Sequence, residues 1–471
     1  YKLLPPKSGA LVMRIIDILL TVGGLRCVFL LLLTAASGFT SSYRSRDRIT
    51  SKMSVAGLGS YLRDVATKMR GPSSFVPGAK LRVVMGNEAS DADSIVSSLC
   101  YAYLLAQRHA TAHPDNLYVP IMPITASEFQ MRRETVLLTE IAGIRSADII
   151  FSDEVDLHSY HGIGKLEITL TDHNYIRSEL QPLEEAVVEI IDHHEDLGRH
   201  PGVVGEARKI AFADGKATVA SACTQIAEEY LGAAAPAVDS AAATLLLAVI
   251  ALDSANFDEA AGKVTSRDVA AADALKPFIT EYPPDNLYPV LQAAKRDLSF
   301  WGGIPVADCL KYDFKLFKAG EGRTGELRLG MSSMLEPMST VMEKPGFLEA
   351  VNSFYQDRHL DVIIIMTSQF EPEKRRQIFI YSAEAALVAG LARHLAADAV
   401  AALGLRGPGP LPPSPPGGGG EGDGEARMAS FEQENVKASR KQVAPAALRY
   451  LEDAAAQRQL QTSDDEQSKP T

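Results

Sequence analysis

Four short clusters of acids, amides and imidazoles recur in order along this chain: Asn87-x-x-x-Asp91-x-Asp93, Asp172-His173-Asn174, Asp192-His193-His194 and Asp253-x-x-Asn256. Carboxylates two residues apart, as at Asp91 and Asp93, can address two neighbouring cations from one turn. Asn87 offers a neutral oxygen beside them, Asp172 and Asp253 add carboxylates, and His193 and His194 add imidazole nitrogens. A donor set rich in oxygen and poor in nitrogen suits Mg²⁺ or Mn²⁺ better than zinc. A pair of such ions, about 3.5–4 Å apart, activates water and neutralises charge building on an attacked phosphate. Taken singly, Asp-x-Asp after a strand is more often a helix cap, and Asp172 and Asp253 can be caps too. Paired imidazoles after Asp192 are harder to explain as a surface loop. The four clusters together point to a two-metal phosphoesterase centre.

Each cluster follows an apolar run, LRVVM, LEITL, AVVEII or TLLLAVIAL, which reads as a buried strand or helix able to aim it. From Leu81 such strands (with YVPIMPI and ADIIF) alternate with helical stretches at Ser94–Ala110, Ala217–Leu231 and Ser240–Leu252. That alternation predicts an α/β fold with a doubly wound parallel sheet, whose ligands sit beyond the carboxyl ends of the strands. The first three clusters fall there. After the Pro-rich EYPPDNLYP a second rhythm begins: DFKLF, ELRLGM, a helix near Ser339–Tyr355, LDVIIIM, QIFIYS and a helix from Ala383 to about Leu403. It predicts a smaller α/β domain with a mixed sheet. The expected boundaries are a leader or extension at 1–52, a first domain at 78–276, a linker at 277–292 and a second domain at 293–461. Residues 405–425, dominated by Pro and Gly, read as a flexible insertion in the second domain, and 462–471 as a disordered tail.

Of the 471 residues, 46% are apolar and 23% charged, values of a soluble globular chain long enough for two cores. A net charge of −12 argues against a binder of duplex nucleic acid but leaves a small polyanion open, since bound ions and a few cations invert the field locally. Four scattered cysteines, none in a CxxC pair, argue for a reducing compartment. In the first 52 residues the uninterrupted apolar stretch Cys27–Ala36 is too short to span a bilayer, so no membrane association is expected of the mature domains. Its small-residue boundary and the Ser/Thr/Arg-rich segment after it resemble plastid-targeting leaders; the other reading is an extension upstream of Met53. The location is accordingly cytoplasmic, or plastid if the leader is genuine.

The order N-x-x-x-D-x-D, DHN, DHH, D-x-x-N resembles the DHH phosphoesterases, and VVMGNEASDADSIVSSL with LDSANFDEAAGKVTSRD is similar to their exopolyphosphatase/prune branch, with a DHHA2-type second domain. The resemblance covers roughly residues 80–455. It implies metal ligation by Asn87, Asp91, Asp93, Asp172, His193 and Asp253, with Asp172 bridging both ions. It implies substrate contacts from His173, His194, Arg132, Arg440 and Lys441, the last two in a Ser-Arg-Lys-Gln run like the phosphate clamp of related pyrophosphatases. Asp172, His194, Arg440 and Lys441 would serve catalysis, and Asn256 would orient Asp253. The implied activity is a metal-dependent exopolyphosphatase that removes terminal phosphate from inorganic polyphosphate with a two-metal activated water, the domains closing about the Pro-rich junction. The alternatives are an inorganic pyrophosphatase, disfavoured because those enzymes carry His where Asn87 stands; a cyclic-nucleotide or short-oligonucleotide phosphodiesterase; and a non-catalytic prune-like scaffold.

Overall fold

The computed structural model describes residues 57–71, 78–232, 238–320, 325–369, 373–398, 402–407 and 427–467, with Gly322 and Gly409. The expected leader and most of the expected insertion lie outside the described residues.

Six parallel strands form the first sheet: β1 (Leu81–Met85), β2 (Leu117–Met122), β3 (Ile150–Phe151), β4 (Leu166–Thr171), β5 (Val187–Asp192) and β6 (Arg208–Ile210). Their spatial order is β3-β2-β1-β4-β5-β6, so the winding reverses between β1 and β4. Both faces are covered, which is why these strands read as unbroken apolar runs. Val84 and Ile191 pack with the helices α2 (Ala92–His109), α4 (Ala222–Leu231) and α5 (Ser240–Asp253). Leu81, Val83, Ile168 and Leu170 face the other way, toward Val65 and Ala66 of α1 (Leu58–Arg70). This first helix carries Leu58, Leu62, Val65 and Ala66 into the cores twenty residues before the expected boundary at 78. Helices α3 (Arg133–Ile141), α6 (Ser266–Leu275) and α7 (Leu287–Lys295) complete this half, with α7 packed on α3 and α5. The expected linker is therefore built into the first core: Leu287 and Leu291 are buried there, and Ile279 and Tyr282 pack against it.

A short hairpin, β7 (Phe212–Ala213) with β8 (Lys216–Ala217), occupies the start of the helix expected from Ala217. That helix, α4, begins only after Ser221, whose hydroxyl caps the amide of Cys223. The second sheet comprises β9 (Lys315–Ala319), β10 (Leu327–Met334), β11 (Val362–Gln369), β12 (Arg375–Tyr381), β13 (Leu405–Arg406) and β14 (Met428–Gln433). It is mixed: β10 and β11 run parallel and every other pairing is antiparallel. Strand periodicity splits its residues between two cores. Val362, Ile364 and Met366 meet α10 (Ala385–Ala397) and α11 (Arg440–Gln467), while Ile363 and Ile365 meet α8 (Met338–Glu343) and α9 (Phe347–Asp357). The single helix expected over Ser339–Tyr355 is broken at Pro345-Gly346, where Gly346 takes φ 72°. Leu405 and Arg406, assigned to the insertion, instead pair with Gln433 and Glu432. Helix α11 runs through Thr462, where a tail was expected, to Gln467. Cys100, Cys223 and Cys309 are buried and unbridged, and both sheets belong to one compact unit.

Candidate metal centre and substrate cleft

Strands β1, β4 and β5 are neighbours, so their carboxyl ends bring the first three acidic clusters side by side at the point where the winding reverses. After β1, Gly86 lies against the first turn of α2; a Cβ there would come within 2.6 Å of the Ser94 Cβ. That approach lets the amide of Asn87 reach Ser94 Oγ at 3.1 Å. Ser90, at φ 46°, then turns the chain so that Asp91 caps α2 through the Ser94 amide. Asp93 points the other way, into the start of α4. It accepts from Ser221 Oγ (2.7 Å) and from the amides of Ala222 (2.7 Å) and Cys223 (2.9 Å). A buried carboxylate at a helix N-terminus is well placed electrostatically.

Asp172 follows β4 in a left-handed conformation, φ 62°, which acidic side chains tolerate better than most. Its buried carboxylate accepts from Ser94 Oγ (2.6 Å) and Asn87 Nδ2 (2.8 Å) and stands 3.3 Å from His193 Nε2. Asp192, at the end of β5, is spent on local order. It accepts from the amides of His193 and His194, from His194 Nδ1 (2.8 Å) and from Asn174 Nδ2 (2.6 Å). His193 donates Nδ1–H to the carbonyl of Val219 (3.2 Å), which leaves Nε2 facing Asp172 and, at 3.7 Å, Asp93. One ligand atom each from Asp172, His193 and His194 fall within 4.8 Å of one another. The fourth cluster arrives from the end of α5. Asp253 is that helix's last residue, where the dipole disfavours an anion, and its buried Oδ2 has no hydrogen-bond partner. Ala255, Asn256 and Phe257 follow with φ of 54°, 58° and 62°, a run of backbone strain directly beside the cluster.

The ionisation pattern shows how crowded this charge is. Burial, and next the Asp93 carboxylate, push Asp253 well above the usual carboxylate range. Burial and Asp172 push Asp93 up to about 6, and raise Asp91 as well. Burial works against protonated His193, yet its hydrogen bond to Asp172 and the nearby Asp93 outweigh that and lift it to about 10. Burial likewise raises Asp172, but the His193 bond and the two imidazoles overcome it and hold the carboxyl below its ordinary value. The cluster thus holds protons on His193 and on its crowded carboxyls more tightly than isolated groups would, with an orphaned oxygen at Asp253. A divalent cation fits this oxygen-rich, under-neutralised donor set.

Other expected site residues are placed differently. Asn87 is engaged at both ends, donating to Asp172 and accepting from the Ala89 amide (2.9 Å). His173 turns Nδ1 onto the Thr171 carbonyl (2.9 Å) and its ring edge onto Tyr175. Asn256 is exposed and does not hydrogen-bond Asp253. Arg132 was expected to reach substrate; it is 2% exposed, and its guanidinium donates to three backbone carbonyls behind the Asn87–Asp91 turn. On the facing wall Arg440 opens α11 and grips Asp313, bonding its backbone carbonyl and, at 2.6 Å, its carboxylate. Lys441 beside it is exposed.

Two residues absent from the sequence reading matter here. Lys315, at the start of β9, acts electrostatically on Asp91, Glu88 and Asp313 and so faces the acidic cluster. A lone lysine opening a strand carries no motif that marks it. Asp268 is fully buried and accepts from Ala220, Thr224 and Thr265, fixing the segment whose Val219 carbonyl orients His193. A cavity of about 300 Å³, bordered by Glu88 of the Asn87–Asp91 turn, lies between Tyr175 and Arg177 on one side and Phe314, Leu316 and Lys318 on the other. Among the described residues no helix is long and apolar enough to cross a membrane.

Comparison with known proteins fits this arrangement. A family model for the DHHA2 domain matches residues 290–450. The exopolyphosphatase PRUNE1 of Bos taurus is 31% identical over 320 residues, 67% of this chain and 66% of that protein. The chain thus spans slightly under two thirds of that relative's length. A manganese-dependent inorganic pyrophosphatase of Methanothrix thermoacetophila is 24% identical over 305 residues, 64% of this chain and 86% of that protein. A solved Methanococcus jannaschii structure, titled a proposed family II inorganic pyrophosphatase, matches with a TM-score of 0.51 at 20% identity. It covers 79% of this chain and 99% of that one, and shows a shared fold.

Proposed function

The chain belongs to the exopolyphosphatase/prune branch of the DHH–DHHA2 phosphoesterases, and from that premise we propose that it hydrolyses phosphoanhydrides with divalent metal ions, releasing terminal phosphate from inorganic polyphosphate. The observation that carries the reading is the clustering of Asp91, Asp93, Asp172 and Asp253, with Asp172 and Asp93 facing His193 and the buried Asp253 oxygen left without a partner. Those five residues would hold two ions, Mg²⁺ or Mn²⁺, with Asn87 steadying Asp172. Ions in such a site lower the pKa of water and neutralise charge developing on phosphoryl oxygens.

The chain's own groups do the rest. Asp192 fixes the His194 ring through Nδ1, which leaves the opposite edge, on a side chain 38% exposed, for a phosphate oxygen. Arg440 presents a planar fork pre-set by Asp313, and Lys315 and Lys441 add mobile charges on the same wall. The cavity beyond Tyr175 gives the remainder of a chain-like anion a place to lie.

The test offers long-chain polyphosphate, tripolyphosphate, pyrophosphate and cyclic AMP side by side, with Mg²⁺ or Mn²⁺, and measures phosphate release or nucleotide product. Preferential turnover of polyphosphate with little pyrophosphate hydrolysis supports the proposal. Pyrophosphate or cyclic AMP as best substrate moves the protein to another branch activity, and no turnover by folded, metal-bound protein leaves a scaffold.

A further inference from the structure

Behind the turn that carries Asp91 and Asp93 lies a cluster of charged groups the proposed reaction does not use. Arg132 sends Nε–H to the Ser90 carbonyl (2.7 Å), one terminal nitrogen to the Ala89 carbonyl and the other to the Glu128 carbonyl (2.6 Å). Its guanidinium carbon lies 5.8 Å from the ring centre of Tyr312, and Met131 shares the apolar cluster of Tyr312 and Trp301. Two residues on, Glu134 is 1% exposed and pairs with Lys295 Nζ at 2.8 Å, while its other oxygen is buried without a partner. Tyr312 precedes Asp313, the residue that holds Arg440.

We infer that Arg132 is a positioning residue: it fixes the Ala89–Ser90 turn from behind, and through that turn sets how tightly Asp91 and Asp93 hold a divalent ion. Each of its three nitrogens donates to a main-chain oxygen, and it is buried against Tyr312 of the second half. Ser90 sits at φ 46°, a conformation a serine keeps only when its neighbours impose it, and the Arg132 bond to its carbonyl is such a constraint. The ring of Tyr312, from the second half, closes the free face of the guanidinium. Ion affinity at the first sheet is thereby tied to the packing of the second half. This inference rests on the metal reading proposed above.

The test compares the full chain with Arg132→Gln and Arg132→Lys, measuring Mn²⁺ binding by titration calorimetry, thermal unfolding, and KM for tripolyphosphate at saturating Mn²⁺. Arg132→Gln should weaken Mn²⁺ binding at least about tenfold, as losses of residues that orient metal ligands do. KM at saturating Mn²⁺ should stay within about twofold, and Arg132→Lys, which keeps one donor, should recover part of the affinity. A folded variant with parental Mn²⁺ affinity overturns the inference, as does a KM rise at saturating Mn²⁺ with binding unchanged, the mark of a substrate contact. Should Arg132→Gln fail to fold, Arg132→Lys decides by the same criteria. A parent chain that takes up no Mn²⁺ removes the proposed function itself, an outcome distinct from a parent and variant that bind alike.

Discussion

At the carboxyl end of the first sheet, Asp91, Asp93, Asp172 and Asp253 crowd one another, Asp172 and Asp93 stand 3.3 and 3.7 Å from His193, and Asp253 keeps a buried oxygen with no partner. On the facing wall, Arg440 already has its counter-ion in Asp313, and Lys441 is open to solvent. One side cannot neutralise its own charge from within the protein; the other has. The difference separates two tasks. Surplus buried anions store an attraction that a small cation relieves, whereas a cation held by a carboxylate is oriented in advance and gives up little when phosphate arrives. The first side also carries the strained backbone, at Ser90, Asp172 and Ala255–Phe257, while Asp313 is the corresponding position on the second.

The contrast can be broken most sharply at Asp172. Asp172→Asn should lower kcat by about 10³-fold or more, because the carboxylate common to His193, Asn87 and Ser94 would no longer serve ion binding. Near-normal phosphate release from this variant would sink the two-ion reading. At Arg440 the loss should lie in binding: Arg440→Ala is expected to raise KM about 10–100-fold, the value of one or two charge-assisted hydrogen bonds, with a smaller fall in kcat. A kcat loss as large as that of Asp172→Asn would make the two walls equivalent.

A subtler difference is in pH. His193 is held up to about 10 without metal, so at neutral pH its proton must leave before the ring can act as a ligand. Mn²⁺ affinity should therefore rise from pH 6 to pH 8, by up to about tenfold per unit for one displaced proton. Calorimetry in buffers of different ionisation enthalpy would count that proton; a flat affinity profile would show that His193 is not displaced from its carboxylates. The smallest effect is expected at Asp253. Asp253→Asn removes a carboxyl whose ionisation is opposed by burial and by Asp93 and Asp91, so the metal-free protein should gain about 1 kcal/mol of stability near neutral pH. The same change should weaken Mn²⁺ binding. Loss of stability in the metal-free variant would mean that Asp253 is better satisfied than its geometry indicates.

The acidic clusters were legible because each sits at the end of an apolar run; parallel topology forces the ends of β1, β4 and β5 onto one edge, and the fourth arrives from the end of α5. The mixed second sheet was legible from a changed rhythm, strand-like runs following one another in pairs, DFKLF with ELRLGM and LDVIIIM with QIFIYS, with a helix only between the pairs and after them. Arg132 was not, since nothing in Phe-Gln-Met-Arg-Arg-Glu-Thr distinguishes an arginine facing solvent from one sealed against Tyr312. Burial of that kind is decided by residues far along the chain. Helix α1 could have been found: Leu58, Leu62, Val65 and Ala66 keep helical spacing, but they follow a segment read as a leader. The start of α4 could not have been, because it depends on the carboxylate of Asp93 reaching across the fold to the amides of Ala222 and Cys223.

Helix α7 bears on how this molecule can be divided. The DHHA2 resemblance begins at residue 290, in the middle of a helix whose Leu287 and Leu291 belong to the first core. A cut placed there would expose apolar surface on both products, and would part Lys295 from the buried Glu134 it neutralises. The boundary along which sequences can be compared is thus not a boundary along which the chain can be severed. Recombining second halves among related enzymes would succeed only if α7 stays with the first.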